Sequence, residues 1–279
     1  MIGSRHVRLI GDSFMGQVFR QLIRCYVDGE HNCKRPAGGV SNFALTQWDF
    51  SEPESWLSPG SIGFTAVPQQ WGCHLAPDGP TLDYLWLPTP PELNATSRVL
   101  HHALRAGGRL SARDVVVLNF GHHFGAGWTR PLARLGEVLR WWKLQHEASG
   151  GSMPRLLWLE TPPVHYGPQG WAASIKASAR CVPFDESRER KHADETRDLE
   201  IMLRRYTAFI TFVPLWRVSM GLHQEHPLVD GYHHTNRTAV RRARGIREGD
   251  PIPSDCLHYC EPSSALRTWV QLLLLALKM

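Results

Sequence analysis

Apolar residues occupy three of the five positions 6–10, namely Val7, Leu9 and Ile10, which predicts a short buried β-strand. At positions 14–26 they recur every three or four residues instead, which predicts a helix with one buried face. The residues on that face are Phe14, Val18, Leu22 and Ile23. Because the triplet Gly11, Asp12, Ser13 lies between these two elements, the pattern places Ser13 at a strand-to-helix turn.

Further apolar runs alternate with helix-like stretches along the rest of the chain. The stretch 132–146 has helical spacing, and 264–277 predicts an apolar helix near the end. The other predicted strands are 62–67, 115–119, 156–160 and 209–213. Strands that are apolar throughout are typical of parallel sheets with helices on both faces. The expected fold is therefore a three-layer α/β/α domain around a central, mainly parallel sheet.

Residues with catalytic potential stand at both ends of the chain. A serine hydroxyl needs a base within hydrogen-bond reach and a third group that orients the base. Asp255 and His258, two residues apart, could serve Ser13 in these roles. The strand-to-helix turn would also present backbone N–H groups to an oxyanion. The pattern indicates a Ser-His-Asp triad, although a Gly-Asp-Ser triplet alone also makes ordinary turns and helix caps.

Four segments of the chain form a set of motifs in a defined order. Residues 8–25 contain a strand, a Gly-Asp-Ser turn and a helix with Cys, and 118–124 read LNFGHHF. Residues 160–171 read ETPPVHYGPQGW and precede Cys181, and 254–262 read SDCLHYCEP. The set resembles the PC-esterase group of the SGNH (GDSL-like) superfamily, in particular the trichome-birefringence-like polysaccharide O-acetyltransferases of plants, whose corresponding blocks include FNTGHWW, SPxHFxxGxW and DCSHWCLPG.

This resemblance implies an SGNH-hydrolase-like fold and a role for each matched residue. Ser13 would be the nucleophile, His258 the general base and Asp255 the group that orients it. Asn119 would donate a side-chain hydrogen bond to the oxyanion, together with the backbone N–H of Ser13.

A substrate groove is expected beside these residues. We assign Asp12, His165 and Trp171 to it. The segments 36–91 and 220–253 have no clear periodicity, and we expect them to be long surface loops that form its walls.

Six cysteines and two glycosylation sequons, at Asn94 and Asn236, favour an oxidising secretory compartment, although free cysteines are also common in cytosolic proteins. The family resemblance pairs Cys181 with Cys256 and implies a location in the Golgi lumen. The cysteines whose pairing stays open are Cys25, Cys33, Cys73 and Cys260.

Composition limits the other classes of function. The chain has 279 residues, 42% hydrophobic and 20% charged, and we expect a single domain, 1–279, that lacks the family's N-terminal anchor and Cys-rich subdomain. A formal net charge of +5 could attract an acidic polysaccharide or a phosphorylated donor, although a solvated charged surface is the preferred interpretation. No nucleic-acid-binding motif occurs. No apolar run reaches the roughly 20 residues that span a membrane. The histidine pairs lack a usual ligand spacing, so we expect no metal or bound cofactor.

The expected activity is transfer of an acyl group, acetyl above all, from a donor to Ser13 and then to a polysaccharide hydroxyl. With water as acceptor, the same triad would make the protein a carbohydrate acetylesterase. A carbohydrate-binding protein that has kept the fold and lost turnover is the alternative from another class. The partners are therefore a polysaccharide or oligosaccharide and an acetyl donor.

Overall fold

A computed structural model provides the coordinates of the protein. It describes residues 5–27, 46–48, 70–74, 81–86, 110–119, 129–166, 181–184, 190–226, 247, 256, 259 and 263–278. The strands are β1 (His6–Gly11), β2 (Thr46–Trp48), β3 (Gln70–His74), β4 (Thr81–Trp86), β5 (Val115–Leu118), β6 (Arg155–Leu159) and β7 (Ile210–Val213). The helices are α1 (Ser13–Val27), α2 (Thr129–Ala148), α3 (Arg190–Arg204), α4 (Trp216–Ser219) and α5 (Ser264–Lys278), with a 3₁₀ turn at His223–Glu225.

The described strands form one sheet in the order β2-β3-β4-β1-β5-β6-β7. The five strands from β4 to β7 in this order are parallel to one another, whereas β3 is antiparallel to β4 and β2 to β3. Ile10 of β1 aligns with Leu85 on one side and Leu118 on the other. The carboxyl ends of the parallel strands therefore lie at one edge, where α/β proteins bind ligands.

Each face of the sheet is covered by helices. On one face, Val7 and Leu9 pack in a buried cluster with residues of α1 and α5, where the rings of Phe14 and Trp269 lie 5.0 Å apart. On the other face, the alternate residues of the strands pack against α2 and α3, with Trp142 fully buried among them. Alternation of side chains along each strand thus supplies two cores, and the predicted three-layer α/β fold is confirmed.

Charged side chains hold both ends of α5. The carboxylate of Glu225 accepts a hydrogen bond of 2.9 Å from the backbone N–H of Ala265, in the first turn. Arg5 and Arg155 donate bonds of 2.8 and 2.5 Å to carbonyl oxygens of the last turn. A negative charge at the start and positive charges at the end both favour the helix dipole.

Most predicted elements are confirmed with boundaries that move by a few residues. The predictions at 6–10, 115–119, 156–160 and 209–213 correspond to β1, β5, β6 and β7, and those at 14–26, 132–146 and 264–277 to α1, α2 and α5. The predicted strand at 62–67 lies outside the described residues. Helix α3 was not predicted, because its sequence is largely charged and its buried apolar residues are few, Leu199 and Leu203 among them.

The prediction that 36–91 is a long surface loop, with a strand expected only at 62–67, is wrong. Strands β2, β3 and β4 lie within this segment, and β4 pairs with both β1 and β3 inside the sheet. Polar residues interrupt these strands, whose sequences are TQW, QWGCH and TLDYLW, so they lack the continuous apolar run that marks β5. Among the described residues, no helix is long and apolar enough to cross a membrane.

Candidate functional site

The turn between β1 and α1 holds Ser13 at the carboxyl edge of the sheet. Ser13 is half-buried and is the first residue of α1. Asp12, which is fully buried, caps this helix, because its Oδ1 accepts a 2.9 Å bond from the backbone N–H of Phe14. The backbone oxygen of Asp12 accepts a 2.6 Å bond from the hydroxyl of Tyr84 in β4. Asp12 therefore stabilises the turn through its side chain and its backbone oxygen. Its place in a substrate groove stays a prediction.

Gly11 lets β5 and α1 approach each other closely. A Cβ atom at this position would collide with the backbone oxygen of Asn119 and with the side chain of Met15. Its lack of a side chain thus allows the end of β1 to lie directly beside the end of β5 and under the first turn of α1.

Asn119 lies beside the Ser13 turn at the end of β5 and is fully buried. Its Nδ2 donates bonds of 2.8 Å to the backbone oxygen of Leu159 and 2.9 Å to Oγ1 of Thr161. These bonds join the ends of β5 and β6. For Asn119 to bind an oxyanion, one amide hydrogen would have to leave an acceptor. Thr161 is the acceptor that can rotate away, so the oxyanion role stays a prediction.

The two ends of the chain meet through Gln17. This residue lies one helical turn after Ser13 and is fully buried. Its Nε2 donates a 2.6 Å hydrogen bond to the backbone oxygen of Tyr259, and its Oε1 accepts a 3.2 Å bond from the backbone N–H of the same residue. One side chain of α1 thus satisfies both backbone groups of a residue 242 positions away.

The ring of Tyr259 lies in a buried group with the imidazole rings of His165 and His226. Nδ1 of His165 lies 2.6 Å from Nε2 of His226, and Nε2 of His165 lies 3.2 Å from the backbone oxygen of Met220. Because a carbonyl can only accept, the hydrogen of a neutral His165 is on Nε2, and His226 donates to Nδ1. The hydroxyl of Tyr259 lies 3.5 Å from the same Nδ1.

Burial fixes the charge states of this group. His165 is fully buried, and the loss of hydration lowers its pKa to about 4, with a smaller contribution from the nearby His223. Burial also raises the pKa of Tyr259, and the negative charge of Glu225 adds to this effect. Both rings are therefore neutral at pH 7. The predicted role of His165 in a substrate groove stays a prediction.

A disulfide joins Cys181 to Cys256, with their Cα atoms 5.3 Å apart, and confirms the predicted pair. His165 lies between the two cysteine segments: its N–H donates to the backbone oxygen of Cys256 at 3.0 Å, and its carbonyl accepts from Val182 at 3.1 Å. The disulfide and these backbone bonds link Cys256 to the segment that follows β6.

Sequence analysis did not identify the part played by Glu160. This residue follows β6 and is buried, and its Oε2 accepts bonds of 2.6 Å from Leu215 N–H and 2.7 Å from Trp216 N–H. Burial raises the pKa of Glu160, and the two backbone bonds oppose this rise. The sequence feature that could have indicated this role is a carboxylate directly after an apolar strand, because a buried charge needs hydrogen-bond partners.

Three predicted site residues, Asp255, His258 and Trp171, lie outside the described residues. Their roles stay predictions. In the part of the chain that is described, no group of three or more His, Cys, Asp or Glu side chains is placed to hold a metal ion.

No protein-family model matches the chain, and no curated protein matches it at a significant level. The geometry of the described residues and the motifs of the sequence are therefore the basis for an assignment.

Proposed function

We propose that this protein is a serine-dependent O-acyltransferase that moves an acetyl group to a hydroxyl of a polysaccharide. The observation that carries the proposal is the bond between Gln17 and Tyr259. It ties the helix that begins with Ser13 to the residue that directly follows His258 in the chain. The proximity of Tyr259 to this helix supports the proposal that the neighbouring residue in the sequence, His258, is the general base.

The proposed reaction is a double displacement on Ser13. His258 takes the proton of the Ser13 hydroxyl as its oxygen attacks the carbonyl carbon of the acetyl donor, and the proton then passes to the donor's leaving group. This step produces an acetyl ester on Ser13. A sugar hydroxyl attacks this ester, gives its proton to His258, and the proton returns to Ser13 as the acyl–oxygen bond breaks. Asp255 orients the imidazole throughout.

Several features of the described residues support this chemistry. Ser13 stands at the carboxyl edge of a parallel sheet and at the start of a 15-residue helix, where the helix dipole stabilises negative charge. The Cys181–Cys256 disulfide supports a secretory location, because disulfides persist in oxidising compartments. The Golgi lumen is proposed from the resemblance of the sequence motifs alone. The polysaccharide acceptor rests on the resemblance of the four sequence motifs to plant polysaccharide O-acetyltransferases.

The first experiment treats the purified chain with a fluorophosphonate probe and locates the label by mass spectrometry. We expect label on Ser13, and at least about a 1,000-fold slower reaction in Ser13→Ala and His258→Ala, because each removes a triad member. Ser149→Ala is a matched control, since Ser149 follows α2 at the opposite edge of the sheet. Wild-type protein that is not labelled at Ser13 would refute the proposal.

A second experiment identifies the acceptor. The chain is incubated with p-nitrophenyl [¹⁴C]acetate and xylan-derived oligosaccharides, and the radioactivity in sugar and in acetate is measured. Label in sugar supports the transferase. Label only in acetate makes the protein an acetylesterase, and binding of oligosaccharides without any label on Ser13 makes it a carbohydrate-binding protein.

A further inference from the structure

Gln17 is one of two buried glutamines in α1, and both are fully inaccessible to solvent. Gln17 lies one turn after Ser13, and Gln21 lies one turn further on. Burial of an amide side chain costs free energy unless its polar groups are satisfied. In Gln17 both the amide nitrogen and the oxygen are satisfied by the backbone of Tyr259, at 2.6 and 3.2 Å.

The backbone of Tyr259 is held through Gln17 while its ring is held through other residues. The Tyr259 ring centroid lies 4.7 Å from that of Trp269 in α5 and 4.3 Å from that of His226. These ring contacts limit the side chain, but rotation about the backbone of Tyr259 would leave them intact. The two bonds from Gln17 fix the orientation of the peptide groups on either side of Tyr259.

One of those peptide groups connects Tyr259 to His258. The N–H that donates to Oε1 of Gln17 belongs to the peptide unit formed with the carbonyl of His258, and this unit is planar. Gln17 therefore holds the orientation of this peptide plane. Since Gln17 and Ser13 share one rigid helix, the same element carries the nucleophile and the group that orients the segment of the base.

We propose that Gln17 is a positioning residue for the acyl-transfer site: it fixes the segment of the general base relative to Ser13 through the backbone of Tyr259. This inference rests on the proposed function. It predicts that loss of the two bonds slows the chemical step, because a displacement of about 1 Å between catalytic groups can reduce a rate about 100-fold. It also predicts that binding of the acyl donor changes little.

The test compares Gln17→Met with Gln21→Met, at a temperature well below the unfolding transition of both variants. Methionine keeps the length of the side chain and removes both hydrogen bonds. We expect Gln17→Met to lower kcat for p-nitrophenyl acetate and the fluorophosphonate labelling rate of Ser13 about 100-fold, with KM within about twofold. Gln21→Met, which removes an equally buried amide from the same helix, should label within about threefold of the wild-type rate.

Two outcomes would overturn the inference. Labelling of Gln17→Met at the wild-type rate would show that these bonds do not position the base, and equal slowing in Gln21→Met would show that any buried change in α1 has the same effect. If Gln17→Met does not fold, Gln17→Asn takes its place; it keeps the amide on a shorter side chain and should label about tenfold more slowly. Failure of the wild-type protein to label at Ser13 would instead refute the proposed function.

Discussion

The two halves of the candidate site are built in different ways. The serine half, Gly11 to Ser13, is mainly local: its turn follows a strand, begins a helix, and is shaped by hydrogen bonds between residues two or four positions apart. The other half, at Cys256 and Tyr259, is positioned by a disulfide across 75 residues and by side-chain bonds across 242. The first half should therefore be robust to changes elsewhere in the chain, whereas the second depends on contacts that several segments supply.

Opening the Cys181–Cys256 disulfide is expected to have the largest effect. A crosslink across 75 residues restricts the unfolded chain, and the loss of this restriction should lower the free energy of unfolding by about 4 kcal/mol. The measurement is chemical unfolding of the double serine variant against the wild-type protein. The serine half should keep its helix, observed as unchanged far-ultraviolet circular dichroism below the transition. Purified wild-type protein in which mass spectrometry finds both cysteines as thiols would contradict this prediction.

The second largest effect is expected from acid, which should lower the stability of the half that contains His165. Burial lowers the pKa of His165 to about 4, so the folded protein binds fewer protons than the unfolded chain between that value and about 6.5. Stability contributed by neutral His165 is complete above pH 6.5 and is lost as the pH falls toward 4, by about 3 kcal/mol. We expect His165→Gln to reduce the slope of unfolding free energy against pH in this window. An identical slope in both proteins would show that other groups determine the acid response.

A smaller loss is expected in the serine half, from Asp12→Ala. The substitution removes the acceptor that caps α1, which should lower the free energy of unfolding by about 1.5 kcal/mol. Asp12→Asn keeps an acceptor oxygen and should lose much less. Thermal unfolding of both variants measures the difference. Equal losses would mean that the charge of Asp12, rather than its capping bond, stabilises the turn.

The smallest loss of stability is expected from Thr161→Val, at the bond that joins the ends of β5 and β6. This change removes the 2.9 Å bond that Thr161 accepts from Asn119 and should destabilise the protein by about 1 kcal/mol. Thr161→Ser, which keeps the hydroxyl, is the matched control in chemical unfolding. An unchanged free energy of unfolding in Thr161→Val would show that this hydrogen bond does not stabilise the fold.

The difference between the halves also explains what could be predicted from the sequence. Continuous apolar strands and the spacing of Phe14 and Val18 gave the sheet and the first helix, because these signals lie within a few residues of one another. Strand β4, which lacks a continuous apolar run, and the highly charged α3 lack such signals. The Cys181–Cys256 pair could be predicted from the resemblance of motifs, since spacing alone leaves several pairings open.

The contacts of the second half could not be predicted in the same way. The bond between Gln17 and Tyr259 has no local signal, because a buried glutamine can satisfy its amide with any backbone that the fold brings near. The hydrogen bond between His165 and His226 likewise depends on two segments that meet only in the folded chain. Such contacts follow from the fold and not from neighbouring residues.

The charged groups at the two ends of α5 have a consequence for the whole arrangement. With Glu225 at one end and Arg5 and Arg155 at the other, any axial slide of this helix would stretch bonds at both ends together. A slide of one residue is about 1.5 Å. The slide would also move the ring of Trp269 away from the rings of Phe14 and Tyr259, both of which it contacts. The hydrogen bonds to charged groups at both ends of α5 therefore fix the axial position of this helix, and with it the distance between α5 and α1.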